Sequence, residues 1–306
     1  VRFAITYPMI TRPYSAELVS GAGVARVASA AEAAGFHGLG FTDHPAPTQR
    51  WLEHGGHDAL DPFVAMGFAA AGTTTLRLIP NIVVLPYRNP FVVAKAGATL
   101  DLLSDGRFTL AVGAGYLKRE FAALGVDYNE RNALFDESLE VIHAIWTGDE
   151  ISYQGEHFTA KGITAHPRPV SRPHPPIWIG GNTRTARRRV ATHGDGWCPF
   201  QAAPGVAATA GTSPLDSADK LVECVDDLRR CFDEAGRDWS GIDISFTNVD
   251  GGNPAADGFN ADTYLEALDK LAAIGVTWVQ VPLPGDSLEH VIETIDRFGS
   301  SVIKAA

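Results

Sequence analysis

The run Leu39-Gly40-Phe41-Thr42-Asp43-His44 ends a short apolar stretch in a carboxylate and an imidazole. Such a pair can move a proton. The imidazole titrates near neutral pH, and a neighbouring carboxylate can fix which ring nitrogen carries hydrogen. At the C-terminal tip of a buried strand, the pair would sit where parallel α/β folds keep their chemistry. Asp-His at a strand end also serves as a turn with local hydrogen bonds, so the other strand ends decide its meaning. These are Tyr7-Pro8, Asn81, Gly113-Ala114-Gly115-Tyr116, Gly180-Gly181-Asn182, Gln201, Asn248 and Pro282. Glycoside hydrolysis needs two acids there, and only Asp43 qualifies. The sequence contains no Gly-x-Ser-x-Gly elbow, and no lysine ends a strand to form a Schiff base. His54-Gly55-Gly56-His57-Asp58 is the nearest set of metal-ligand types. It falls on a glycine-rich loop rather than a rigid strand, and no metal is expected.

Glycine is what the rim does offer. Gly180-Gly181-Asn182-Thr183 precedes a helix that carries Arg184 and Arg187. Free backbone N–H groups at a helix start, approached closely past glycine, make an anion site. The same residues also suit a plain tight turn. Gly113-Ala114-Gly115 lacks the spacing of a dinucleotide fingerprint. Tyr7, Trp51, Tyr116 and Trp197 suit either an aromatic pocket or the core.

The elements that must position these residues alternate along the whole chain. Strands are predicted at Phe3–Tyr7, Gly38–Thr42, Leu76–Leu85, Arg107–Val112, Pro176–Ile179, Gly196–Pro199, Ile242–Thr247 and Val276–Val281. The helices that follow them are predicted at Leu18–Ala34, Asp61–Ala71, Pro90–Leu103, Arg131–Trp146, Thr183–His193, Leu215–Ala235, Ala261–Ala273 and Leu288–Ile303. Alternation without a strand-only block implies a parallel sheet. Eight such units imply a closed (β/α)8 TIM barrel. Three connections exceed ordinary loop lengths: residues 44–60, 148–175 (with a hairpin-like Ile151–Phe158) and 201–214. The first and third open at the catalytic face, as substrate lids would. The expected organisation is a single domain over residues 1–306.

The 306 residues carry a formal charge of −11, with 45% hydrophobic and 20% charged residues. That charge disfavours nucleic acid and anionic membrane surfaces. No apolar run approaches the ~20 residues that span a bilayer. Val1–Thr6 reads as a strand rather than as a signal peptide. Cys198, Cys224 and Cys231 form no Cys-x-x-Cys and suit core thiols in a reducing cytoplasm. A cytoplasmic enzyme acting on a small organic molecule is the expectation.

Four ordered segments carry a family resemblance: Gly38–His44, Asn81–Pro90, Thr99–Gly115 and Pro175–Gly181. In them the chain resembles the bacterial luciferase-like flavin and deazaflavin oxidoreductases over nearly its whole length. That resemblance implies an insertion-bearing (β/α)8 barrel, often a homodimer, binding coenzyme F420 or FMN at the strand C-termini. The Thr42-Asp43-His44 tip is most similar to the F420-dependent branch. It implies that Asp43 and His44 lie beside the reactive ring, with His44 as general acid/base and Asp43 fixing its tautomer. Asn81–Ile82 matches the family's non-proline cis peptide, a bulge backing the ring. Gly180 and Gly181, with Asn182 beside them, match the phosphate-binding turn, and Gly113, Gly115 and Tyr116 match residues lining the cofactor. The implied activity is F420-dependent hydride transfer between the deazaflavin C5 and a small organic substrate. The alternatives are an FMNH2-dependent monooxygenase and a non-catalytic flavin-binding protein. Sugar-phosphate dehydrogenases of the family have glutamate where this chain has Tyr116, which weakens a hexose-phosphate assignment.

Overall fold

Short strands whose apolar side chains are almost wholly buried suit a parallel sheet covered on both faces. A computed structural model of the chain describes residues 1–247 and 250–306. Its strands are β1 (Arg2–Thr6), β2 (Gly38–Gly40), β3 (Arg77–Leu78), β4 (Val83–Val84), β5 (Leu110–Gly113), β6 (Ile151–Gln154), β7 (Thr159–Ile163), β8 (Ile177–Gly180), β9 (Gly196–Cys198), β10 (Asp243–Thr247) and β11 (Trp278–Val281). One sheet runs β3-β2-β1-β11-β10-β9-β8-β5-β4, with every pairing parallel. Its end members, β3 and β4, are two halves of one barrel strand. Leu78 donates its N–H to the Arg107 carbonyl (2.9 Å) and accepts from the Thr109 N–H (3.0 Å), which closes the sheet on itself. The barrel expected from eight alternating units is present. The third strand, predicted over Leu76–Leu85, is present as the two short pieces β3 and β4, with residues 79–82 and the Asn81–Ile82 bond between them.

The helices are α1 (Gly21–Ala33), α2 (Gln49–Glu53), α3 (Pro62–Ala71), α4 (Pro90–Leu103), α5 (Lys118–Ala123), α6 (Arg131–Thr147), α7 (Arg184–His193), α8 (Pro204–Ala210), α9 (Ala218–Ala235), α10 (Ala261–Ile274) and α11 (Leu288–Phe298). Caps set their starts. The Ser20 and Ser217 hydroxyls accept from Gly23 and Lys220 N–H, so α1 and α9 begin later than Leu18 and Leu215. Asn89-Pro90 and Asp61-Pro62 each combine a capping side chain with a proline that needs no N–H partner. The last helix ends at Phe298, where residues 299–303 widen into a π-turn.

Alternation along β1 sends Phe3 and Ile5 into the outer core under the helices and Ala4 into a separate inner cluster. That inner cluster joins Ala4, Ile79, Ala111, Trp178 and Trp278, and the two indoles meet edge to face at 5.4 Å. Large rings facing alanines fill the barrel without a channel. The 148–175 insertion forms the β6–β7 hairpin. Glu137 on α6 pins it by accepting from the His157 and Phe158 N–H groups, and Asp101 on α4 accepts from Ser171. The other insertions carry α2 and α8. No helix among the described residues is long and apolar enough to cross a membrane.

Candidate active site

A cavity of about 500 Å³ opens at the C-terminal ends of the barrel strands. It brings together Asp43, His44, Asn81, Ile82, Gly113, Gly115, Tyr116, Gly180 and Gly181, residues scattered over half the chain. Asn182 stands apart from this set. Its fully buried side chain donates to the Phe200 and Ser213 carbonyls and accepts from the Phe200 N–H (3.0 Å). It clamps the loops beneath the glycine turn rather than facing the cavity. Asn248 lies outside the described residues.

The floor is built around Ile82. The Asn81–Ile82 peptide bond is cis, as the resemblance implied, and Asn81 Nδ2 donates to Thr6 Oγ1 on β1 at 2.8 Å. The Ile82 side chain reaches into space that only glycine leaves open. A Cβ on Gly113 would meet Ile82 Cδ1 at 2.0 Å, and one on Gly180 would meet it at 3.0 Å. Gly113 is therefore glycine because Ile82 needs its volume. Gly181, at φ +111°, holds a left-handed backbone ahead of α7, whose Thr183 cap accepts from the Ala186 N–H. Thr183, Thr185 and Arg189 of this helix start line the same cavity.

His44 takes its hydrogen-bond partner from an unexpected quarter. Its Nδ1 lies 3.2 Å from Glu120 Oε2 on α5. The Glu120 carboxylate is wholly buried and also accepts from the Ala46 N–H (2.9 Å) and the Tyr87 hydroxyl (2.8 Å). Burial pushes its pKa up, but these donors outweigh that and hold it below the usual carboxylate range. An ionised carboxylate only accepts, so Nδ1 carries the proton and Nε2 of the neutral ring is left as the base.

Asp43 does not perform the role expected of it. Its carboxylate takes a bidentate fork from Arg88, at 2.5 and 2.8 Å, and accepts from the Val84 N–H at 2.8 Å. Arg88 continues to Asp61 at the cap of α3. Asp43 thus anchors the strand tip to the segment after the cis bond, while Glu120 orients the imidazole. The sequence reading missed Glu120, Tyr87 and Arg88. For Glu120 the signal was weak: an acid beside an apolar Phe121 in a short connection.

The loop after β2 brings His57 into the cavity lining and packs Trp51 against His44 and His57. Trp51 packs on His44 with ring centroids 4.6 Å apart, and His57 meets His44 edge to face at 5.0 Å. Burial first, then the nearby His44, pushes the His57 pKa down to about 4. The Tyr116 phenol, 6.3 Å from His44 between ring centroids, is raised to about 12 by burial and by Glu120. Of the four aromatics named from the sequence, Tyr7 and Trp197 are core residues. Tyr7 stacks on Phe41 and donates to the Leu18 carbonyl, and the Trp197 indole donates to the Gly181 carbonyl. The His54–Asp58 set is dispersed: His54 bonds the Arg50 carbonyl, His57 lines the cavity, and Asp58 pairs with Arg12 and Tyr14. Cys198, in the cavity wall, stays a thiol because burial raises its pKa.

The profile of the luciferase-like monooxygenase family matches residues 9–248. The chain belongs to that family. An F420-dependent glucose-6-phosphate dehydrogenase of Nakamurella multipartita is 32% identical over 229 residues, 73% of this chain and 61% of the relative. An FMNH2-dependent dimethylsulfone monooxygenase of Pseudomonas putida is 36% identical over 120 residues, 38% of this chain and 33% of the relative. Among solved structures, an F420-dependent secondary alcohol dehydrogenase in complex with an F420-acetone adduct superposes with a TM-score of 0.74. It covers 100% of this chain and 99% of its own at 17% identity, a likeness of fold. The family therefore joins F420-dependent and FMNH2-dependent oxidoreductases on one barrel.

Proposed function

We propose that this member is an F420-dependent oxidoreductase transferring a hydride between the deazaflavin C5 and a small organic substrate. The observation that carries this reading is the Thr42-Asp43-His44 tip, whose imidazole is held by Glu120 over a cavity floored by Ile82. The cavity fits a tricyclic ring on chemical grounds. Ile82 offers an apolar support for which Gly113 and Gly180 leave room, and Gly181, Thr183 and Thr185 at the start of α7 line the same space, where a helix N-terminus favours an anion. Arg131 and Arg189 add positive charge there.

In this reading Ile82, Gly113, Gly115 and Tyr116 hold the ring and its side chain, and Gly180 and Gly181 take the phosphate. The deazaflavin supplies the hydride chemistry when bound. His44 Nε2 takes the substrate's proton in one direction and returns it in the other, a contribution of roughly 10²–10⁴-fold. Glu120 accepts from Nδ1 throughout, stabilising the imidazolium that forms. Trp51, His57 and Tyr116 shield this exchange from water. The rival is an FMNH2-dependent monooxygenase, favoured by the Pseudomonas putida likeness.

Titration of the protein with F420 and with FMN, followed by fluorescence quenching, separates the two. F420 is expected to bind at least about tenfold more tightly, a difference of about 1.4 kcal/mol. Tighter binding of FMN would move the protein to the monooxygenase reading.

A further inference from the structure

His57 is a cavity residue that proton transfer does not use. Its Nε2 is shielded from solvent and makes no hydrogen bond to any described residue. Buried polar groups are nearly always satisfied, so such an atom beside a ligand cavity points to a partner that the protein itself does not supply. The surroundings define that partner. His44 and Trp51 present ring faces and edges to His57 at 5.0 and 5.4 Å between centroids. The ionised groups nearby are already matched: Asp43 with Arg88, and Glu120 with His44 and Tyr87. The cations that line the cavity belong to the starts of α6 and α7. There Arg189 pairs with Asp136, and Arg131 lies over the Tyr128 ring at 3.9 Å. The loop after β2 therefore places beside the cavity one imidazole with an orphan nitrogen, among aromatic rings, and contributes no cation to the cavity lining.

We propose that His57 is the substrate-reading residue of this site: it hydrogen-bonds the oxygen of an uncharged alcohol or carbonyl compound, in a subsite walled by His44 and Tyr116, with Trp51 packed against the two imidazoles. This deepens the oxidoreductase reading and rests on it for the placement of that oxygen beside His44. A neutral imidazole suits both members of an alcohol–carbonyl pair. It can accept from a hydroxyl through one tautomer and donate to a carbonyl through the other. It offers nothing to a phosphate ester, which would need a free cation.

Three probes of one shape test the assignment: benzyl alcohol, toluene and benzyl phosphate. Their binding is measured by ligand-observed NMR on protein loaded with F420, loaded with FMN, and free of both. Benzyl alcohol is expected to bind about tenfold or more tightly than either of the others, because a site built around a hydroxyl rejects the analogue lacking it. His57→Leu should bring benzyl alcohol to the level of toluene while cofactor Kd and melting temperature stay near wild type. His57→Gln, which keeps a donor and an acceptor, should retain most of the preference. With a cofactor bound and its phosphate site filled, an undiminished preference in His57→Leu, tightest binding of benzyl phosphate, or no binding of any probe overturns the proposal. A His57-dependent preference seen only with FMN would leave the subsite standing and remove F420 as the cofactor.

Discussion

Asp43 and His44 are neighbours in sequence yet serve different partners, and that division makes a testable distinction. His44 takes part in the reaction in the proposed reading, so His44→Ala should lower kcat by roughly 10²-fold or more. Cofactor Kd should change little, since in the same reading the glycine turn and the barrel wall anchor the cofactor. Glu120→Gln keeps the volume but removes the charge that stabilises the imidazolium, and a smaller loss of kcat is expected. Asp43→Asn should behave oppositely. Breaking its buried pair with Arg88 should cost about 3 kcal/mol of stability, with kcat per folded molecule near wild type. Melting temperature and kcat measured together on the three variants decide the assignment. A catalytic loss in Asp43→Asn exceeding that in Glu120→Gln would restore the dyad of adjacent residues.

The third barrel strand carries the argument at the level of elements. Its break at Asn81–Ile82 turns the Ile82 side chain over β5 and β8, and Gly113 and Gly180 end those strands as glycine to receive it. Gly113→Ala should therefore abolish detectable cofactor binding and lower stability by about 1–3 kcal/mol, the usual cost of overpacking. Gly113→Ala combined with Ile82→Ala should recover the stability but not the affinity, because the floor would be lost with the clash. Denaturant midpoints and fluorescence titrations on the single and double variants test this coupling. Additive stabilities would show that the two side chains do not compete for one space.

Across the whole molecule, two cores separate stability from function. The outer core packs helices on the barrel, and the inner cluster of Trp178, Trp278 and small neighbours fills the barrel interior. Trp178→Ala should cost ~3–5 kcal/mol, read as a fall in the urea midpoint at unchanged slope. Trp178→Phe should recover much of it. Cofactor affinity of the folded fraction should fall less than tenfold in both variants if the inner core supports the floor without shaping it.

The barrel was legible before folding, because strand and helix periods are local and their alternation leaves few topologies. The sequence marked the tip at Asp43-His44 and the glycines at 113, 115, 180 and 181 for the same reason: chain reversals at strand ends draw on short-range chemistry. Resemblance supplied the cis bond at Asn81–Ile82. Tertiary structure alone decided who pairs with whom. Asp43 and His44 line one cavity yet take different partners. Arg88, 45 positions from Asp43, and Glu120, 76 positions from His44, became their partners instead. Periodicity could not announce Glu120, whose helix spans six residues, less than two turns. Nor could composition tell Asn182, which clamps loops from within, from the residues that face the cavity. The side chains that complete the site lie far apart along the chain, and closing the barrel is what brings them within hydrogen-bonding reach.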